Sequence, residues 1–516
     1  MKKPKIRLNN LYISSIFSGI FLILSFPNLD LSFLAWIAMI PFLYYLYGRD
    51  KKESFFAGLI FGFIYFFGTL YWIYYALNRY GSISFFLSIL TVALLCLYLA
   101  IYPAFFAMLF STYTKRSNLP ISFFAPVVWT VLEYLRSYML TGFPWSSIGY
   151  SQYKLLSLIQ LSEITGVYGI TFLVVAFNSA VVDILLLRIR QRERPLYSIT
   201  PTVVSLISLI FLFTFSFSYG LYRLNQVREG SNLKVAVIQG SIEQDKKWEP
   251  LYQREVIETY KELSLKASSE NPDLIIWPET AVPFYFGKDK YWTDYLLNIK
   301  RSLNSYLLFG SVLVKELRSE KKANLSYTNS AVLLDKDGNI AYIYDKIHLV
   351  PFGEYVPLRN LLFFVNKLTY GIGDYTPGNS YLKAYTPYGS FGTLICYEII
   401  FPGLVRKFFL KDGDFIVTIT NDAWFGKTSG PYQHFSMAVF RAIENRKPVI
   451  RTANTGISGF IDSNGRIIKN TSLFERTYLV GDIRTDRTRT FYSKYGDIFV
   501  YICLVCTILI IMKGKK

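Results

Sequence analysis

The sequence predicts a chain of two fold classes: a multi-pass α-helical membrane domain with eight transmembrane helices, and a layered α/β domain placed before the last of them. Three observations carry this reading. The 516 residues are 52% hydrophobic with a mean hydropathy of +0.29, too apolar for an ordinary soluble protein of this length. Stretches long enough to span a bilayer run at 11–26, 31–47, 55–77, 83–109, 121–140, 167–187, 203–219 and 498–512, seven of them before residue 221. Between the last two, short apolar runs alternate with helical patterns in a segment of ordinary polarity. The implied domains are 1–222, a seven-helix membrane domain; 228–489, an extracytoplasmic α/β domain; and 495–516, a final helix with a cytoplasmic tail.

The first apolar stretch follows Lys2, Lys3, Lys5 and Arg7 and has the look of a signal peptide. It lacks a small-residue cleavage site, and six further spans follow, so an uncleaved helix is expected. With the N-terminus cytoplasmic, the cytoplasmic segments carry sixteen basic residues, including Arg49, Lys51, Lys115 and Arg188, and the opposite short loops only Arg79 and Lys154. That asymmetry is the positive-inside pattern and places both termini in the cytoplasm. After Asp50, Glu53 and Glu193 are subtracted, 13 of the net +19 charges sit on that edge. The basic balance is therefore a topology signal and calls for no nucleic-acid partner.

In the α/β segment, strand candidates are 234–239, 274–278, 306–314, 331–335, 340–344, 392–397, 414–420, 449–452 and 459–462. The clearest helix is 433–445, where Phe435, Ala438, Val439, Ala442 and Ile443 repeat with helical spacing. Lys336-Asp337-Gly338-Asn339 and Ser463-Asn464-Gly465-Arg466 have hairpin-turn chemistry.

Four cysteines are present. Cys96 falls in the fourth span, and Cys503 and Cys506 in the eighth, where C-x-x-C spacing without charged neighbours indicates packing. Cys396 alone lies in the α/β segment, at a strand end beside Tyr397 and Glu398. By itself it reads equally as a nucleophile or as a small buried hydrophobe. Glu279 in Trp277-Pro278-Glu279-Thr280 and Lys346 in Tyr344-Asp345-Lys346-Ile347-His348 also follow predicted strands; singly, each reads as structural. Together, a thiol, a carboxylate and an amine supply a nucleophile, a base and a charge stabiliser for acyl transfer.

The text around these residues is more specific. Trp-Pro-Glu-Thr, the run from Lys346 to Pro357, Cys396-Tyr397-Glu398-Ile399-Ile400-Phe401-Pro402, Asn421-Asp422-Ala423-Trp424-Phe425-Gly426 and Gly142-Phe143-Pro144-Trp145 occur in that family's arrangement and resemble the apolipoprotein N-acyltransferases of bacterial membranes, a branch of the nitrilase superfamily. The resemblance spans nearly the whole chain. It implies an α-β-β-α sandwich for the α/β domain, the Glu279, Lys346, Cys396 triad, and supporting positions at Trp248, Glu354, Tyr397 and Glu398, with Trp145 as a further one. It further implies a phospholipid acyl donor, a diacylglyceryl-modified apolipoprotein acceptor, a location in the bacterial inner membrane with the catalytic domain extracytoplasmic, a monomer, and no cofactor.

Remaining features carry milder expectations. His348 and His434, the only histidines, are too few for a metal site; His348 is expected to support the lysine loop by hydrogen bonding. Apolar runs at 281–286, 361–365 and Trp424-Phe425 fit either core or a membrane-facing rim, and Trp145 and Tyr150 fit interfacial anchors. Glu133 and Arg136 stand at i, i+3 as a structural pair. Two rival classes remain: a membrane-tethered nitrilase-type amidase for small amides, which would share the triad, and a transporter or receptor with an inactive sensor domain, which would need a polar pathway through the spans.

Overall fold

Apolar side chains around the whole circumference of a helix leave it no water-facing side. In the computed structural model, which describes residues 8–193, 199–226, 230–319, 322–357 and 375–513, four such helices are long and apolar enough to cross a membrane: Lys51–Leu70, Phe85–Arg116, Val167–Arg192 and Thr200–Asn225. Shorter apolar helical stretches occupy Asn9–Ser25, Ser32–Leu46 and Ile498–Met512, and Ile121–Arg136 forms a 16-residue helix. The stretch expected as one second span is broken into Ser32–Leu34, Ala35–Ala38 and Ile40–Leu46. Thr200–Asn225 exposes Ile207, Ile210, Phe211 and Tyr222, an apolar surface suited to lipid.

The chain divides into two units, residues 1–74, 85–226 and 495–516 in one and 75–84 with 227–494 in the other. Within the helical unit, Glu133 and Arg136 do not pair as expected but serve separate networks. Glu133 accepts from Trp129 Nε1, the Ile148 N–H and Thr171 Oγ1; Arg136 donates to the carbonyls of Phe143 and Trp145 and to Ser147 Oγ. Trp145 and Tyr150 are each 1% exposed, so neither is an interfacial anchor; the Trp145 ring lies 4.7 Å from that of Trp72.

The second unit is built on two six-stranded sheets. Its strands are β1 (Asn232–Gln239), β2 (Leu274–Ile276), β3 (Tyr306–Ser319), β4 (Lys322–Leu334), β5 (Ile340–Asp345), β6 (Lys383–Thr386), β7 (Gly389–Ile395), β8 (Phe415–Thr420), β9 (Val449–Ala453), β10 (Gly459–Ile461), β11 (Ile467–Asn470) and β12 (Thr477–Arg484). The orders are β12-β1-β2-β3-β4-β5 and β11-β10-β9-β8-β7-β6. β1, β2 and β3 run parallel, as do β7, β8 and β9. Both predicted turns join antiparallel neighbours, with Gly338 and Gly465 at positive φ.

β1, β2 and β8 are buried on both faces, which is why they read as continuous apolar runs. One face of the first sheet packs under the helices Gln253–Ser268 and Lys290–Arg301 through Ala236, Ile238, Trp277, Phe309, Tyr260 and Leu296. The second sheet carries Pro402–Phe408 and Gly430–Asn445, the latter buried at every residue except Tyr432. The result is a nitrilase-like two-sheet α/β domain. Ala281, Val282, Phe284 and Phe286 join its core, which settles the 281–286 run as core. Residues 361–365 lie outside the described residues.

A short piece of the N-terminal sequence belongs to this unit. The third predicted span, 55–77, has its long helix end at Leu70, and Tyr75–Ser84 packs with the sheets. Tyr80 meets Trp424 edge-on at 5.0 Å, and Arg79 bonds Asp245 at 2.8 Å. Gly426, at φ +59, lies so near the Tyr75 ring that a Cβ there would come within 2.6 Å.

Candidate active site

Parallel strands gather their C-terminal ends on one edge, and loops leaving that edge are where open α/β folds bind ligands. Glu279 follows β2, Lys346 follows β5, Cys396 follows β7 and Asn421 follows β8. The structure brings all four together with Glu354. Glu279, Lys346, Cys396 and Glu354 are buried, at 6%, 1%, 8% and 8% exposure.

The Glu279 carboxylate is held from three directions. Asn329 Nδ2 donates to its Oε1 at 2.8 Å, the Asn421 N–H to its Oε2 at 2.9 Å, and Lys346 Nζ stands 3.5 Å from Oε1. Asn329 Nδ2 also reaches Glu354 Oε1 at 2.8 Å, and Lys346 Nζ bonds that same oxygen at 3.0 Å. Two carboxylates thus share one amide and one ammonium, which balances charge that burial alone would expel. Glu354 Oε2 accepts the Val350 N–H at 2.7 Å and so closes the lysine loop.

Cys396 has φ +53, a left-handed conformation that an L-residue adopts only when its surroundings enforce it. Two anchors hold the turn. Glu398 spans from the Ile395 N–H to the Ile347 and His348 N–H groups and the Tyr344 hydroxyl. His434 Nε2 lies 3.2 Å from the Cys396 carbonyl, while its Nδ1 stands 3.0 Å from Asp422 Oδ1 and 2.9 Å from Arg451 Nη2. His348 supports the lysine loop through that main-chain bond and by ring packing, 3.9 Å from Phe401. Tyr397 is half-buried against Phe401 and His348. Trp248 is half-buried beside Tyr285. Trp145, the remaining supporting position implied by the resemblance, belongs to the helical unit, where it is buried.

Burial pushes the Cys396 thiol up, Glu279 pushes it further, and Lys346 pulls it back. The resting group is therefore a thiol that needs a base. Burial pulls the Lys346 ammonium down, but Glu354 and then Glu279 more than reverse this, so it stays charged. Burial lifts Glu398 to about 7 against the opposing backbone donors, and lowers His348 to about 4 with Lys346 adding to the effect. Asp422 is held well below the carboxylate range, its burial outweighed by Arg451 and His434.

Sequence reasoning missed Asn329, Lys247 and the Asp422–His434–Arg451 cluster. Asn329 had a signal: Thr328-Asn329-Ser330 is a buried polar run directly before the apolar, buried end of its strand, 331–334. Lys247, 0% exposed, donates to the Glu279 carbonyl at 2.8 Å.

Two family models match the chain: the apolipoprotein N-acyltransferase N-terminal domain over 18–180 and carbon-nitrogen hydrolase over 234–492. An apolipoprotein N-acyltransferase of Geobacter metallireducens is 42% identical over 96% of this chain and 93% of its own. The chain belongs to the apolipoprotein N-acyltransferase family. Another relative of that name, from Pasteurella multocida, is 31% identical over 100% of this chain and 96% of its own. Among solved structures, Saccharomyces cerevisiae Nit3, of the nitrilase superfamily, matches 49% of this chain and 90% of its own, with a TM-score of 0.38 and 19% identity. Both halves of an apolipoprotein N-acyltransferase are therefore present, the helical unit and the carbon-nitrogen hydrolase unit that holds the carboxylate, lysine and cysteine cluster.

Proposed function

We propose that this enzyme moves a fatty acyl chain from the sn-1 ester of a phospholipid, through a thioester on Cys396, to the N-terminal α-amine of a diacylglyceryl-cysteine apolipoprotein. The observation that carries the reading is the buried cluster in which Glu279 and Lys346 lie close enough to Cys396 for their charges to act on its thiol. Glu279 takes the S–H proton as sulfur attacks the ester carbon. Lys346 and the Tyr397 N–H face the developing oxyanion, where each preorganised donor is worth about 3 kcal/mol. The carbon–oxygen bond breaks, Glu279 returns the proton to the glycerol oxygen, and a lysophospholipid leaves. The acceptor amine then attacks the thioester, Glu279 takes its proton, and the amide forms as the thiolate departs. Glu354, Glu398, Tyr397 and Trp248 support the site, and Trp145 acts within the helical unit as a packing residue.

The frame for this chemistry is eight spans, seven before the α/β domain, with both termini cytoplasmic and the domain on the extracytoplasmic side of a bacterial inner membrane. The working form is a monomer. Four long apolar helices, the shorter apolar ones, and the sixteen-to-two distribution of basic residues support the spans and their orientation. The test is intact-mass measurement of the purified protein after incubation with phospholipid vesicles. One acyl mass should appear, leave with neutral hydroxylamine, and be absent from Cys396→Ala; acylation persisting in that variant overturns the assignment.

A further inference from the structure

A lysine ammonium taken fully out of water needs compensation from its surroundings. Lys247 is such a group, and its Nζ is spent on a main-chain atom of the active site, the Glu279 carbonyl. That carbonyl belongs to the peptide leading into Thr280, which has φ +46. On the far side the turn rests on Gly310, where a Cβ would come within 2.4 Å of the Thr280 nitrogen and 2.6 Å of the Glu279 Cα. The loop that delivers Lys247 is pinned as firmly. Ile242 exchanges two hydrogen bonds with the Asn454 side chain, Asn421 Nδ2 bonds Gln244 Oε1 at 2.6 Å, and the Lys247 N–H returns to the Gln244 carbonyl.

We propose that Lys247 is a positioning residue for acyl transfer: it clamps the Glu279–Thr280 peptide so that the carboxylate keeps its aim, and it places a second positive charge, beside that of Lys346, where the Cys396 thiolate forms. The proposal rests on the reading of Glu279 as base and Cys396 as nucleophile. The titratable groups that face Lys247 are those same two: burial lowers its ammonium to about 8, and Glu279 and Cys396 act in the opposite direction. Lys346 serves the side chain of Glu279 and Lys247 its backbone, so the base is held at both ends by cations from different loops.

The experiment uses the full-length protein, with thioester formation in phospholipid vesicles read by intact mass and the rate of Cys396 alkylation by iodoacetamide read by peptide mass in detergent at about pH 8, where no acyl donor competes for the sulfur. Lys247→Met should slow thioester formation about a hundredfold, the scale of a small misplacement of a reacting group, and slow alkylation as well. Lys247→Gln keeps a donor without the charge; it should recover part of the acylation rate and keep the slow alkylation. Lys247→Arg should restore the parental alkylation rate. Parental rates of both reactions in Lys247→Met overturn the proposal, as does slow acylation with parental alkylation and a lowered melting temperature, which marks lost packing. If Lys247→Met does not accumulate in the membrane, Lys247→Gln decides alone, and a parental alkylation rate there overturns the proposal. Cys396→Ala and Glu279→Gln run alongside: if they still acylate, the underlying triad fails, whereas inactive controls beside an unaffected Lys247→Met sink only this inference.

Discussion

Glu398 accepts the Ile347 N–H at 2.7 Å, so the second residue after the nucleophile is bonded to the first residue after the lysine. Cys396 and Lys346 leave different sheets, and this one carboxylate fixes the spacing of their turns. Its two oxygens meet four donors, an arrangement that an ionised carboxylate satisfies and a glutamine does not.

Glu398→Gln should cost about 1–3 kcal/mol of stability, because its amide turns a donor toward a buried N–H, and should slow thioester formation. The pH dependence has a definite sign. Burial raises Glu398 from an ordinary 4.5 to about 7, so the folded protein holds an extra proton between those values. This group's contribution to stability is full below about 4.5 and is lost as pH rises through about 7. The acylation rate should rise over the same interval as the four-donor arrangement forms. Melting temperature and acylation rate against pH should show the two opposed trends, both flattened in Glu398→Gln; parallel trends would remove Glu398 from the role.

Glu279→Gln and Lys346→Ala should both reach the membrane yet form thioester several orders of magnitude more slowly, since proton transfer contributes about 10² to 10⁴ and oxyanion donors a similar factor. Single-turnover acylation measures this. Near-normal rates in either variant would return that residue to a structural part.

Asn329→Leu removes the amide that Glu279 and Glu354 share and leaves the two carboxylates with Lys346 alone between them. We expect a loss of about 1–3 kcal/mol and at least a tenfold slower acylation, read by thermal melting and intact mass. An unchanged rate would show that Lys346 suffices to hold both carboxylates.

Orientation can be checked independently. A reporter active only in the cytoplasm should work after Lys516 and within 188–194 and stay silent near Asn464, a position in the β10–β11 turn. Signal from Asn464 would overturn the eight-span frame.

The legible and illegible parts of this molecule divide along physical lines. β1, β2, β7, β8 and β9 are central strands whose apolar runs have no other explanation, so the strand ends that carry Glu279 and Cys396 could be located from sequence. The three strands not anticipated, β6, β11 and β12, are all sheet edges. Every residue of β11 is exposed, including Ile467 and Ile468, so no alternation marks it. Asn329 and Lys247 were hidden for a different reason. Each acquires its meaning from a partner brought close only by folding: Asn329 from Glu279, 50 positions earlier, and Lys247 from the Glu279 carbonyl, 32 positions later. The bonds of Glu133 and Arg136 show the converse, since helical spacing suggested a pair where each side chain satisfies backbone elsewhere.

Tyr75–Ser84 gives the α/β unit a strip of sequence separated from the rest of it by the helices and loops up to Gln226. At about 5–20 residues per second, a ribosome that has finished Ser84 needs roughly 7–30 s to begin the remainder of that unit. The strip therefore exists long before Trp424, Asp245 and Gly426, and must keep Tyr75, Arg79 and Tyr80 unclaimed until they arrive. Assembly of the catalytic half is then completed backwards along the chain, onto a part made early, and a fragment beginning at residue 228 would be translated without one of its own walls.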